Sequence, residues 1–330
     1  MERLAGLVGT LAVLAALAHA SASQPADADA STYAERLGWP KGARVVIFHV
    51  DDAGMSRDSN QGVIEATSQG VATSASIMMP CPWVPEMVAY AKAHPELDAG
   101  LHLTLNAEWK KYRWVPLAGA GAVPGLVDDE GCLHRDPASV ARLASPEEVD
   151  REIRAQLDRA RRMGLRPTHL DTHMGTVMLP KFIESYARLG IEASVPVMMP
   201  AGHMRHVGAE VAPQYRAAFQ QLAQQIWQAG LPLIDDLVTN PTKGETLAER
   251  KAYLLALLRD LRPGVTQMIV HCTRPTEVFQ HISGSGEKRL HELQLMTDPD
   301  LRRLLDEQGI ELTTWRELHA RRQAAPPAAQ

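Results

Sequence analysis

The stretch Val45-Val-Ile-Phe-His-Val-Asp-Asp52-Ala-Gly54 decides how this chain is read. Its apolar, β-prone residues describe a buried strand, and the two adjacent carboxylates and the glycine describe an abrupt end to it. Side chains alternate between the faces of a strand, so two neighbouring acids belong where the strand gives way to a loop. Barrel and open-sheet α/β enzymes keep their chemistry at that carboxyl end of their strands.

Further apolar runs follow at 100–105, 168–170, 191–197, 233–238, 267–271 and 310–314, with helical patterns between them. Ser145-Pro-Glu-Glu148 is a capping box with proline at the first helical position, after which Val149, Ile153 and Leu157 recur at four-residue spacing until Gly164. Thr246-Leu-Ala-Glu249 opens a second helix with Leu254, Leu257, Leu258 and Leu261 on one face, and a third runs from Asp298-Pro299 to Gly309. Strands alternating with helices predict parallel strands joined by crossovers, with no linker-like interruption. The economical reading is a single α/β domain, a (β/α) barrel or distorted barrel of seven or eight mainly parallel strands.

The ends and the composition bound that domain. Residues 1–22 carry one early arginine, an apolar run too short to span a bilayer, and the small residues Ala18-His-Ala20 and Ala20-Ser-Ala22, the pattern of a cleaved secretory signal. Residues 23–40 read as a polar leader, 41–320 as the barrel and 321–330 as a tail. The protein is thus expected to be exported, periplasmic or secreted, with no stable membrane anchor; a homodimer is left open. Three cysteines, Cys81, Cys132 and Cys272, allow one disulfide at most, and an exported protein would pair Cys81 with Cys132. A net charge of −5 and a pI near 6.2, with Lys and Arg scattered among acids, argue against nucleic acid as a partner.

Residues 106–145 break the alternation. They hold Trp109, Tyr112 and Trp114 among repeated glycines and prolines. A loop this long is usually functional or mobile. Its aromatic rings suit stacking on a sugar, and suit equally an apolar plug at the barrel edge.

His102 lies inside an apolar run, and His169 and His173 bracket an aspartate in His169-Leu-Asp171-Thr-His173. Strand ends that each present Asp or His can assemble one carboxylate and two neutral imidazoles, a facial site for a divalent metal with positions open to water and substrate. Cys272 beside His271 has no supporting motif for a nucleophile and reads as a small buried residue.

In order along the chain, Asp51-Asp52-x-Gly54, Asn60-x-Gly62, Gly70-Val-Ala-Thr73-Ser74, Gly100-Leu-His102-Leu, Pro167-Thr-His169-Leu-Asp171-x-His173 and Arg289-x-x-Glu292-Leu resemble the motifs of the YdjC/ChbG-type carbohydrate deacetylases. The resemblance implies a distorted TIM-like barrel and metal-dependent removal of acetyl groups from N-acetylated amino sugars. It implies Asp52, His102 and His173 as metal ligands and Asp51 as catalytic base. Zinc is the first choice of ion from the mixed donor set, with magnesium the alternative. His271, ending the run 267–271, is the candidate general acid. Departures from the family pattern are Ala53, Met174-Gly175, Ser194 to Pro200 and His271-Cys272-Thr-Arg-Pro275.

Simpler readings accompany the remaining residues. Asn60 would cap a helix, Asp171 would orient a histidine, and Arg289 and Glu292 would form an ion pair near the surface. Thr73 and Ser74 would satisfy backbone groups. Asp235 and Asp236 end another run, so one of them, Asp236, would face the pocket. Two further functions stay open: a metal-dependent phosphoester or ester hydrolase, and a non-catalytic glycan-binding protein.

Overall fold

The β-prone run opening at Val45 forms the longest strand, β1 (Arg44–Ala53), every residue of which is buried except the first. In the computed structural model, which describes residues 31–325, six more strands join it: β2 (Ser74–Ile77), β3 (Ala99–Leu103), β4 (Leu170–Thr172), β5 (Asp236–Val238), β6 (Gly264–Val270) and β7 (Ile310–Leu312). All pairings are parallel, in the order β4-β3-β2-β1-β6-β5, with β7 also beside β1. β6 follows β1 from Arg44 to Val50, while β7 pairs with Arg44 to Val46 and β2 with the later residues His49 to Ala53. Isolated bridges Leu170 to Val197 and Pro200 to Ile234 connect β4 toward β5. The result is the expected distorted TIM-like (β/α) barrel, a single α/β domain.

The helices form where their signals predicted. Ser145 and Thr246 both close capping boxes, on helices Pro146–Arg162 and Leu247–Arg259, and Asp298 caps Pro299–Glu307. Val149, Ile153, Leu157 and Ala160 of the first helix are buried together, each larger side chain contributing about 1.5–3 kcal/mol by leaving water.

Two expectations change and one strand went unread. The run 191–197 is not a strand: Ile191 to Ala193 complete the helix Ile183–Ala193, Ser194 ends it in the left-handed region at φ 55°, and only Val197 bridges β4. Pro196, lacking an N–H, cannot donate to a ladder there, though its carbonyl accepts from Leu170. β2, Ser-Ala-Ser-Ile, carries too little apolar signal to be found as a run. The domain also reaches further than 41–320. A short helix, Tyr33–Arg36, buries Tyr33 and Ala34, and the last helix runs to Ala324 with Arg322 buried. The expected signal at 1–22 lies outside the described residues. Among the described residues no helix is long and apolar enough to cross a membrane.

Candidate metal centre at the carboxyl end of the strands

Period-two alternation puts a polar stripe on the inner face of neighbouring strands. His49 and Asp51 stand on β1, Ser74 and Ser76 on β2, His102 on β3, and His169, Asp171 and His173 on or beside β4. All are buried, with exposures of 5% or less. Gly100, one alternation step before His102, leaves room for the His169 ring: a Cβ there would stand 2.4 Å from it. His169 is stacked on Trp315, 5.4 Å between centroids. Burial, then the neighbouring His49, hold its pKa down at about 4.

Asp52 joins this stripe by breaking the alternation. It adopts φ 66°, and the β1–β2 register shifts between Val50 and Ala53, so the two adjacent acids both reach the cluster. Asn60 secures the turn. Far from capping a helix, it lies within Arg57–Ser68, whose cap is Ser56, accepts from the Gly54 N–H at 2.7 Å and donates to the Trp83 carbonyl. Gly62 on the same helix lets it lie against the backbone after His271, where a Cβ would meet the Cys272 carbonyl oxygen at 2.3 Å.

Asp52 Oδ1 is 3.5 Å from His102 Nε2 and 3.3 Å from His173 Nδ1. Donors each about 2.1 Å from one ion lie about 3.0–3.4 Å apart at right-angle to tetrahedral geometry, so this spacing fits a divalent cation. Both Asp52 oxygens are buried without a hydrogen bond. Oδ2 forms instead an ion pair with Arg289 Nη2 at 2.7 Å. The carboxylates of Asp51, Asp52, Asp171 and Glu108 face one another across this cluster against the guanidinium of Arg289, an excess of negative charge that a cation would offset. His102 is held as a ligand should be. Its Nδ1 meets Asp171 Oδ1 at 2.8 Å and its Nε2 is left for the cluster.

Electrostatics separate the two acids. Burial, then Asp171 and Asp52, push Asp51 well above the usual carboxylate range. Burial acts on Asp52 too, but Arg289 and His173 outweigh it and hold Asp52 well below that range. His173 is drawn up to about 10: burial opposes its charge, and the carboxylates of Glu108 and Asp52 on either side of it prevail.

The remaining expected residues fall into place unevenly. His271 reaches the site, Nε2 3.9 Å from Asp51 Oδ2, and its side chain is 29% exposed. Asp171 lies against His102, Oδ1 2.8 Å from its Nδ1. Arg289 and Glu292 do not pair near the surface: both are buried, Arg289 on Asp52 and Glu292 on the His271 N–H at 2.7 Å. Trp114 is buried and donates to the Asn106 carbonyl, standing edge-on to His173, which makes it a plug; Trp109, packed against it, is partly buried. Ser74 bonds the His49 ring at 3.0 Å rather than backbone alone. Asp236 is absent from the site: it opens β5 at the other end of the barrel and binds His206. Cys81 and Cys132 are free, and burial with Glu292 nearby raises the Cys272 thiol well out of the nucleophilic range.

Two contributors escaped the motifs. His49 sits one alternation step before Asp51, a signal that period-two counting carries. Glu108, which meets His173 Nε2 at 3.0 Å, lies in a loop whose partner no periodicity fixes.

Comparisons with known proteins agree with this architecture. Over 282 residues the chain is 30% identical to a carbohydrate deacetylase of Thermus thermophilus, covering 86% of this chain and 96% of that one. It is 28% identical over 274 residues to a carbohydrate deacetylase of Brevibacillus brevis, covering 83% of this chain and 99% of the relative. A crystal structure from Enterococcus faecalis V583, named for cellobiose-phosphate cleavage, superposes with a TM-score of 0.71 at 23% identity, over 84% of this chain and 99% of that one, which supports the fold. The family model for YdjC-like proteins matches residues 45–307, from the strand that ends on the two acids to the helix before β7. That span takes in the whole cluster, and the chain belongs to the YdjC-like family.

Proposed function

We propose that this chain is a metal-dependent carbohydrate deacetylase that removes acetyl groups from N-acetylated amino sugars. The observation that carries the reading is the division of labour in one dipeptide. Asp52 turns its unbonded Oδ1 toward two imidazoles, its Oδ2 being held by Arg289, while its neighbour Asp51 turns Oδ2 toward His102 and His271. A pure glycan binder has no use for such a base. The carbohydrate deacetylases similar to this chain over most of its length supply the substrate class.

Asp52, His102 and His173 would hold a divalent cation, zinc by preference from the mixed donors and magnesium as the alternative. Bound there, it would polarise the acetamide carbonyl and make nearby water more acidic. Asp51 Oδ2, which faces His102 and His271, takes the proton of the attacking water. Asp171 holds His102, and Arg289 occupies Asp52 Oδ2 so that Oδ1 stays turned toward the histidines. His271 Nε2, partly exposed beside Asp51, returns a proton to the departing amine, its backbone fixed by Glu292. Trp109, partly buried against Trp114, is the aromatic left to meet the sugar ring. The signal-like sequence pattern of residues 1–22 supports export of this chemistry from the cytoplasm.

Acetate release from N-acetylglucosamine oligomers, muropeptides and O-acetylated glycans tests the proposal on metal-stripped protein with and without Zn²⁺. Release from N-acetylated sugars only when metal is restored supports it. No release from any of them by metal-loaded protein overturns it.

A further inference from the structure

Asp171 grips two imidazoles, not one. Its Oδ1 accepts from His102 Nδ1 at 2.8 Å and its Oδ2 from His49 Nε2 at 2.8 Å. His49 is wholly buried, and its other nitrogen is 3.0 Å from Ser74 Oγ, so the ring is held from both sides. With the ionised Asp171 able only to accept, Nε2 carries the proton. The same Nε2 lies 3.3 Å from Asp51 Oδ1 and 3.1 Å from Ser76 Oγ, and Ser76 Oγ is also 3.1 Å from His102 Nδ1.

The two oxygens of Asp51 therefore have different surroundings. Oδ1 is buried without a hydrogen bond, 3.3 Å from His49 Nε2, while Oδ2 faces His102 Nε2 at 3.6 Å and His271 Nε2 at 3.9 Å. Free rotation of a carboxylate would interchange them. A fixed imidazole edge on one side, its N–H engaged by Asp171, favours one orientation by its positive field rather than by a hydrogen bond.

We propose that His49 is a positioning residue for the reaction. Locked by Asp171 and Ser74, it holds the carboxylate plane of Asp51 so that Oδ2 is presented to water, and it links the base to the clamp on His102. This inference rests on the deacetylase reading. Its two serine partners explain why β2 carries Ser74 and Ser76 on its inner face where apolar residues would otherwise pack.

The test compares His49→Met, which fills the space without a donor, with His49→Gln, whose amide N–H reaches toward the same place. Acetate release by the metal-loaded enzymes and bound metal are measured together. We expect His49→Met to lower kcat at least tenfold with KM and metal content unchanged, and His49→Gln to restore kcat to within about threefold of the parent. Ser74→Ala, which frees only the far side of the ring, should lower kcat by about threefold and serves if His49→Met does not fold. Parental kcat in His49→Met, equal losses in the Met and Gln variants, or parental kcat in Ser74→Ala would each overturn the role. An inactive parent would instead refute the deacetylase reading, so the two failures are told apart.

Discussion

Two Asp-Asp pairs, Asp51-Asp52 at the end of β1 and Asp235-Asp236 at the start of β5, do opposite work. The first closes β1 at its carboxyl end. There a left-handed Asp52 brings both acids into a cluster of imidazoles, with buried oxygens that lack hydrogen bonds. The second opens β5. Asp235 accepts from the Tyr33, Ala34 and Val265 N–H groups, tying the first described helix to the barrel, and Asp236 holds the His206 ring and backbone. Through β6, Asp236 is level with Val46, five positions before Asp51 and about 17 Å below it at roughly 3.3 Å per residue. What separates them is the end of the strand they occupy and whether their oxygens are satisfied: a satisfied pair is structure, an unsatisfied one awaits a ligand or proton.

The largest expected effect falls on turnover. Asp51→Asn should lower kcat by about 10²–10⁴-fold while metal stays bound, whereas Asp236→Asn should leave kcat within about threefold. Because burial makes the Asp51 charge costly, the same Asp51→Asn protein should melt no lower than its parent when metal-free. A large kcat loss in Asp236→Asn would break the comparison.

A second effect falls on metal affinity. Asp171→Asn removes the charged partner of His102 and should weaken metal binding by about 10–100-fold in a competition with a chromophoric chelator. Asp235→Asn, in the other pair, should leave that affinity unchanged.

Stability inverts the ranking. Asp235→Ala strands buried backbone N–H groups and should cost about 2–3 kcal/mol in urea unfolding with kcat preserved. The smallest effect concerns Glu292, which positions His271. Its burial would raise its pKa, but His271 and Lys288 bring it to about 2, below the ordinary 4.5. A depressed acid stabilises the fold above the unfolded pKa and loses that contribution as pH falls through the folded one. The stability gap between parent and Glu292→Gln, on the order of 2 kcal/mol near neutrality, should therefore close between about pH 4.5 and pH 2.

Much of this was legible in the sequence, for reasons that also mark where it stopped. The capping boxes at Ser145 and Thr246 are local hydrogen-bonding patterns and placed their helices directly. Alternation puts His169, Asp171 and His173 on one face, while their grouping with His102 and Asp52 came from the family resemblance. Asp235-Asp236 misled because a short apolar run does not show where its strand begins: β5 starts at Asp236, so the pair lies at the amino end. Ile191 misled because the last turn of a helix and a strand can present the same apolar residues, and only Pro196 and the left-handed Ser194 distinguish them. The meeting of Arg289 with Asp52 across the barrel is a tertiary event, invisible to any window along the chain.

The most direct test counts zinc bound at equilibrium dialysis by the parent, Asp52→Ala and Asp236→Ala proteins. One equivalent in the parent and in Asp236→Ala, with none in folded Asp52→Ala, is the predicted result. A full equivalent retained by Asp52→Ala would contradict the assignment of the β1 turn as the metal centre.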